Sequence, residues 1–190
     1  MAMKAKEVVE IIPSKDIFVG NPDATVTLTE FGEYESEDCA KANEVVKQLL
    51  EEFDGRIKFN FRHFPQTKIH QRSMKAAEAS LAAAQSGKFW EMHNILFHNR
   101  RQLGTTSLKL YSKEAGVINK HFLEQLLDST FGWQVRNDFE DGIEKGVKEV
   151  PSFFVNGEKV VGKHSFENLS KEIEAALKKS KKKAPVKQRA

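Results

Sequence analysis

With 190 residues, 39% hydrophobic content and 14 Phe, the chain holds enough apolar material for a sizeable core, which excludes an intrinsically disordered polypeptide. The formal charge of +3 is unevenly held, because residues 178–190 carry seven Lys or Arg and no acid and so leave residues 1–177 at −4; a mildly acidic body gives no reason to expect nucleic-acid binding. No stretch approaches the roughly 18 apolar residues of a membrane span, no apolar leader follows Met1, and a single cysteine forbids any intrachain disulfide, so the expected setting is the cytoplasm.

Taken in order, Val8-Val9-Glu10-Ile11-Ile12-Pro13 is a short apolar run stopped by proline and predicts an edge strand. Asn21-Pro22-Asp23 turns the chain into Thr25–Phe31, where Val26 and Leu28 alternate with β-forming Thr25, Thr27 and Thr29. A turn then leads to a helix with Ala42, Val46, Leu49 and Phe53 on one face, closed by Asp54-Gly55. Cys39 sits near the start of this helix, where free N–H groups and the helix dipole favour a thiolate. Ile57, Phe59 and Phe61 predict the next strand.

From residue 66 to 146 the period is helical, with Met74, Ala77, Leu81 and Ala84, then Trp90, Ile95 and Leu96, then Leu108, Tyr111 and Ala115. Phe122, Leu126 and Leu127, followed by Val135, Phe139 and Ile143, complete the set. Gly87, Gly104 and Gly116 read as helix stops. Strand periodicity returns at Val150–Val155, and Asn156-Gly157 predicts a type I′ hairpin into Glu158–Val161. Ser165 is placed to cap a last helix whose apolar face is Leu169, Ile173, Ala176 and Leu177. The basic run beyond it reads as a solvated, disordered tail.

The segment Glu30-Phe31-Gly32-Glu33-Tyr34-Glu35-Ser36-Glu37-Asp38-Cys39 resembles the active-site segment of the DsbA-like branch of the thioredoxin superfamily, whose members carry Cys-x-x-Cys there. Phe61-Arg62-His63-Phe64-Pro65, Gly87-Lys88-Phe89-Trp90-Glu91-Met92-His93 and Val150-Pro151 extend the resemblance from Phe18 to Leu177. It implies an α/β thioredoxin-like fold with an inserted helical subdomain: an N-terminal extension over 1–17, a core over 18–65 and 147–177, an insertion over 66–146 and a basic tail over 178–190. On the family motif, Ser36 stands at the attacking cysteine, Cys39 at the resolving one, and Pro151 at a proline whose bond is cis and which lines the substrate groove. Tyr34, Glu37, Asp38, Val150 and Pro151 are the implied substrate contacts, and Glu149 adds a charge that the family's usual Gly-Thr lacks.

Half a redox motif leaves several chemistries open. Dithiol exchange needs one thiolate to attack and a second thiol to release the mixed disulfide, and serine does neither. The remaining alternatives are a groove that binds a peptide or protein client without redox cycling, a monothiol reductase or isomerase using Cys39, and a glutathione-transferase-like enzyme in which Ser36 holds a glutathione thiolate. Glutathione is thus the one cofactor the resemblance suggests, and relatives attached to sodium/proton antiporters suggest a membrane-transporter partner. Cys39 shares the apolar helix face, and Glu33, Glu35, Glu37 and Asp38 crowd the helix start, so an inert buried thiol is expected. Neither His63 with His70 nor His93 with His98 has the i, i+4 spacing of a helical zinc motif, and no phosphate-binding glycine loop or Gly-x-Ser-x-Gly elbow is present.

Overall fold

The structure, a computed structural model, describes residues 11–183. After a single 3-10 turn at Ser14–Asp16 come β1 (Phe18–Gly20), β2 (Val26–Gly32), α1 (Glu37–Glu52) and β3 (Ile57–His63). Five helices follow: α2 (Ser73–Ala84), α3 (Phe89–His98), α4 (Thr105–Glu114), α5 (Phe122–Leu127) and α6 (Gly132–Glu144). The chain then returns through β4 (Ser152–Val155) and β5 (Glu158–Lys159) to α7 (Phe166–Lys183). The strands form one sheet in the order β1-β3-β2-β4-β5, with β2 and β3 parallel and the remaining neighbours antiparallel.

The two central strands are buried on both faces, which is why β2 and β3 tolerate so few exposed positions. One face carries Val26, Leu28, Phe59 and Phe61 and is covered by Cys39, Val46 and Leu49 of α1 with Leu169 and Ile173 of α7. The opposite face holds Phe31, Phe64, Val147 and Phe154 in a second cluster, closed by Phe139 of α6. Helix α6 is also tied to β3 by charge: the buried Asp138 carboxylate accepts from Ser14 Oγ at 2.5 Å, Arg62 Nε at 2.7 Å and the His63 N–H at 3.0 Å. The Arg62 guanidinium makes a second contact to Asp141 at 3.1 Å.

The β4–β5 turn follows its sequence signature. Asn156 and Gly157 both have positive φ, 49° and 86°, as a type I′ turn requires. Asn156 is further fixed because its side-chain oxygen accepts from the Thr27 N–H at 2.7 Å.

Several expectations are corrected. Of the predicted edge strand, Val8–Glu10 lie outside the described residues and Ile11–Pro13 are not extended in a ladder; the edge is β1, which pairs Phe18 with Asn60 on β3. Gly104 starts a helix instead of stopping one, with the extended φ −71°, ψ 157° of an N-cap before α4. Leu127 and Ile143, predicted on apolar faces, are 63% and 54% exposed. Residues 178–183 belong to α7, so that part of the basic run is helical; 184–190 lie outside the described residues.

Removing Asp138 strands a buried contact set around Arg62, whose side chain is only 14% accessible. Asp138→Ala is expected to cost about 3 kcal/mol, as breaking a buried ion pair does, read as a lowered urea midpoint at constant slope. A loss below about 1 kcal/mol would place this contact among surface pairs.

Candidate functional site

Strand β2 ends at Gly32, and the four residues Glu33–Ser36 carry the chain over the sheet edge into α1. Ser36 is the N-cap, with extended φ −68°, ψ 127°, and its Oγ accepts from the Cys39 N–H at 3.2 Å. A serine hydroxyl there satisfies one of the orphan amides of the first turn. Ser36 is 7% exposed and Cys39 is fully buried.

The Cys39 thiol is pushed far up by burial, and the nearby Glu30 carboxyl opposes a second negative charge; the Ser36 hydroxyl and the Glu33 backbone pull weakly the other way. Glu30 sits one turn of the pleat below, on the same face of β2 as Val26 and Leu28, and is 1% exposed. Its Oε1 has no hydrogen-bond partner among the described residues, and burial drives its carboxyl well above the ordinary range. Gly32 leaves room for that carboxyl: a Cβ there would stand 2.7 Å from the Phe61 ring and 2.9 Å from Glu30 Oε1. The strand's own alternation marks Glu30, since position 30 continues the inward series 26, 28, yet this residue was not among the predicted site residues.

Tyr34, expected to contact substrate, is fully buried and turned inward. It packs against Phe61 and Phe97 with ring centroids 5.4 and 4.9 Å away, and its hydroxyl meets His93 Nδ1 at 3.1 Å. His93 Nε2 in turn meets Asn43 Oδ1 of α1 at 3.1 Å. Burial lowers His93 well below its ordinary range and His63 to about 4, so both are neutral packing groups.

The four acids at the helix start do not add up to the uniform negative field expected from their crowding. Glu33 is buried, pairs with His70 Nδ1 and accepts from the Glu35 N–H at 2.9 Å; burial raises its carboxyl, and those partners restrain the rise. Glu35 accepts from the Arg72 N–H at 2.7 Å. Glu37 is held below the usual carboxylate range by Lys41 at 3.0 Å and Arg100 at 2.7 Å, and Asp38 lies 3.7 Å from Lys41. Three insertion residues, His70, Arg72 and Arg100, therefore clamp the turn that precedes α1.

Across from this turn the Val150–Pro151 peptide bond is cis. A groove of about 360 Å³ separates the two, lined by Asp38, Lys41, Ala42, Val45, Glu149, Val150, Pro151 and His164. It thus brings together Asp38, Val150 and Pro151 of the predicted contacts and leaves Tyr34 out; Glu37 lies beside it on α1. His164 is an addition; burial lowers its imidazole, the Glu149 carboxylate partly opposes that, and its ring lies 5.3 Å from Phe153. Among the described residues no group of three metal-ligating side chains converges.

A family model described as thioredoxin matches residues 13–175. The chain is 32% identical over 169 residues to Na(+)/H(+) antiporter NhaA 1 of Salinispora arenicola, covering 89% of this chain and 26% of that protein. It therefore spans about a quarter of the length of the curated relatives it matches. Among solved structures it is similar to oxidised BdbD from Bacillus subtilis, at 25% identity and TM-score 0.79 over 87% of this chain and 94% of that one. It is also similar to a thioredoxin-like oxidoreductase from Silicibacter pomeroyi, at 25% identity and TM-score 0.73 over 88% and 93%.

These relatives overturn the cytoplasmic expectation. That expectation rested on the absence of an apolar leader, whereas the chain corresponds to part of much longer antiporter sequences and shares its fold with BdbD and related oxidoreductases, which point to an extracytoplasmic setting. No helix among the described residues is long and apolar enough to cross a membrane.

The buried Glu30 yields a pH prediction. Its folded-state pKa is raised above the ordinary 4.5, so the unfolded chain releases this proton first and stability falls as pH rises from 4.5 toward the folded value. Glu30→Gln should therefore raise the thermal midpoint relative to wild type more at pH 8 than at pH 5. Equal shifts at the two pH values would mean that Glu30 ionises as easily in the fold as outside it.

Proposed function

The chain belongs to the DsbA-like branch of the thioredoxin family, and we propose that it is a member that binds an extended peptide or protein client without dithiol redox cycling. The observation that carries this reading is the Ser36 hydroxyl at the N-cap of α1, accepting from Cys39 N–H, at the position where the family motif has its attacking sulfur. An alcohol does not ionise near neutral pH and forms no disulfide, so the first step of exchange has no nucleophile. The only thiol, Cys39, is buried, and burial pushes it toward its protonated form.

The groove needs no sulfur. The β2–β4 ladder ends at the pair Phe31–Ser152, so Val150 lies beyond it, and Pro151 has no N–H to offer. An extended segment entering beside Pro151 can pair with this backbone while Ala42 and Val45 supply an apolar wall. The fold shared with a thioredoxin-like oxidoreductase supports such a use. Similarity to part of proteins named as sodium/proton antiporters supports placing the domain beside a membrane transporter.

The monothiol reading is disfavoured by the same burial of Cys39, and the glutathione-transferase reading by Ser36, whose hydroxyl is nearly inaccessible and already engaged with an amide. Roles for Asp38, Val150 and Pro151 as client contacts, with Glu37 at the margin, follow from the groove.

Two measurements test the proposal. Wild-type protein should not accelerate insulin reduction by dithiothreitol, whereas Ser36→Cys should close a disulfide with Cys39 under oxidising conditions; catalysis by wild type that disappears in Cys39→Ala would overturn the non-cycling reading. Permanently unfolded carboxymethylated α-lactalbumin should bind wild type, and Val45→Trp, which fills the groove, should weaken that binding by at least about tenfold. Unchanged binding by a folded Val45→Trp would place the client elsewhere.

A further inference from the structure

Helix α7 is built in two halves. Leu169 and Ile173 of its first half are buried against the sheet and α1, and Ala176 and Leu177 are half-buried at the edge of that contact. Beyond them the sequence runs Lys178-Lys179-Ser180-Lys181-Lys182-Lys183 without a single acid, still within the helix, and Lys178, Lys179 and Lys181 are exposed. Cations at a helix C-terminus are favoured by the dipole, which helps this run stay helical.

The basic run occupies a definite pole of the molecule. Lys178 and Lys181 line a crevice with Arg56 and Gly55, the residues that follow the C-terminal end of α1. Ser36 caps the other end of that 16-residue helix, about 24 Å away at 1.5 Å per residue. Helix α7 runs the same span, starting just after groove residue His164 and continuing for 18 residues. Two acids, Asp23 and Glu174, share the crevice, and Glu174 stands 3.9 Å from Lys178; these exposed contacts offset little of the run's charge.

We propose that this pole docks on an anionic lipid surface. Clusters of four to eight cations on an amphipathic helix are the composition that binds acidic headgroups, each lysine contributing independently through long-range attraction. The charge is arranged to orient the molecule, because residues 1–177 total −4 while the five lysines of 178–183 extend from one end of α7. Docked this way, the Pro151 groove faces away from the lipid, open to a client. A nucleic acid is the less suited polyanion: residues 178–183 contain no aromatic to stack on a base, and the one arginine of the crevice, Arg56, is engaged over the Phe53 ring and donates to the Glu52 carbonyl at 2.7 Å.

The test is co-sedimentation of the full chain with vesicles of phosphatidylcholine alone or mixed with phosphatidylglycerol, at low and high salt. Binding is expected only to the mixed vesicles and only at low salt. The variant Lys178→Gln/Lys179→Gln/Lys181→Gln should reduce partitioning by about fivefold per lysine replaced, while Lys109→Gln/Lys113→Gln/Lys120→Gln, the same change of net charge at exposed sites on the insertion, should bind like wild type. Absence of binding to the mixed vesicles at low salt overturns the proposal. So does an equal loss in both variants, which would make net charge alone responsible, or displacement from vesicles by a sub-stoichiometric amount of single-stranded RNA, which would assign the pole to nucleic acid.

Discussion

The first turn of α1 has to begin over a buried carboxyl with its amides satisfied, and the Ser36 hydroxyl makes that possible. Its oxygen occupies the N-cap and accepts from Cys39 N–H, so the helix starts without a sulfur at the place where the family's chemistry starts. With serine at position 36 and burial opposing ionisation of Cys39, the helix dipole has no thiolate to stabilise. Cys39, one turn in, then behaves as a small apolar side chain with the core behind it and Glu30 beneath it. Geometry and electrostatics therefore agree at this position: the thioredoxin scaffold is retained, while the Cys39 thiol is buried and its thiolate disfavoured.

The surroundings of this turn are neutralised instead of polarised. Glu33, Glu35 and Glu37 meet His70, the Arg72 N–H and Arg100, which lie in the loop before α2 and just past the end of α3, and Lys41 is shared by Glu37 and Asp38. The helical insertion thus fixes the active-site turn by charge-assisted contacts, in addition to packing Tyr34 among Phe61, His93 and Phe97. Exposed pairs such as Glu37 with Lys41 add little stability alone, but a turn tied at three points has few ways to move. A rigid turn opposite the Val150–Pro151 loop is what a preformed peptide groove requires.

The sequence carried the architecture well because its signals were local. Ser36 followed by two acids, the Val26–Leu28 alternation and Asn156-Gly157 each specify their own geometry, and the structure follows all three. Glu30 was legible by the same alternation, since position 30 continues the inward series of Val26 and Leu28. Tyr34 was not legible: the direction of a side chain in a four-residue turn is decided by an aromatic cluster contributed from residues 61 to 97. The acids misled for a related reason, since closeness in sequence showed the repulsion while three of their partners, His70, Arg72 and Arg100, lay more than thirty residues away. For the basic run, composition argued for disorder, whereas an apolar stripe through Leu177 and the lack of Gly or Pro before Pro185 let α7 continue.

The division of labour along α7 follows from that continuation. Its first half is held by Leu169 and Ile173 and has no freedom to leave the sheet, so the lysines that extend from it are displayed at a fixed place relative to the groove. A disordered basic segment could attract an anionic surface equally well, but it would not orient the body, because a flexible chain averages over directions. A helix rooted in the core couples the two poles rigidly, and charge at one end then determines which way the groove at the other end faces. The same constraint explains why the acidic body matters: residues 1–177, at −4, are repelled by an anionic surface while the basic pole is attracted, so both signs of charge favour one orientation.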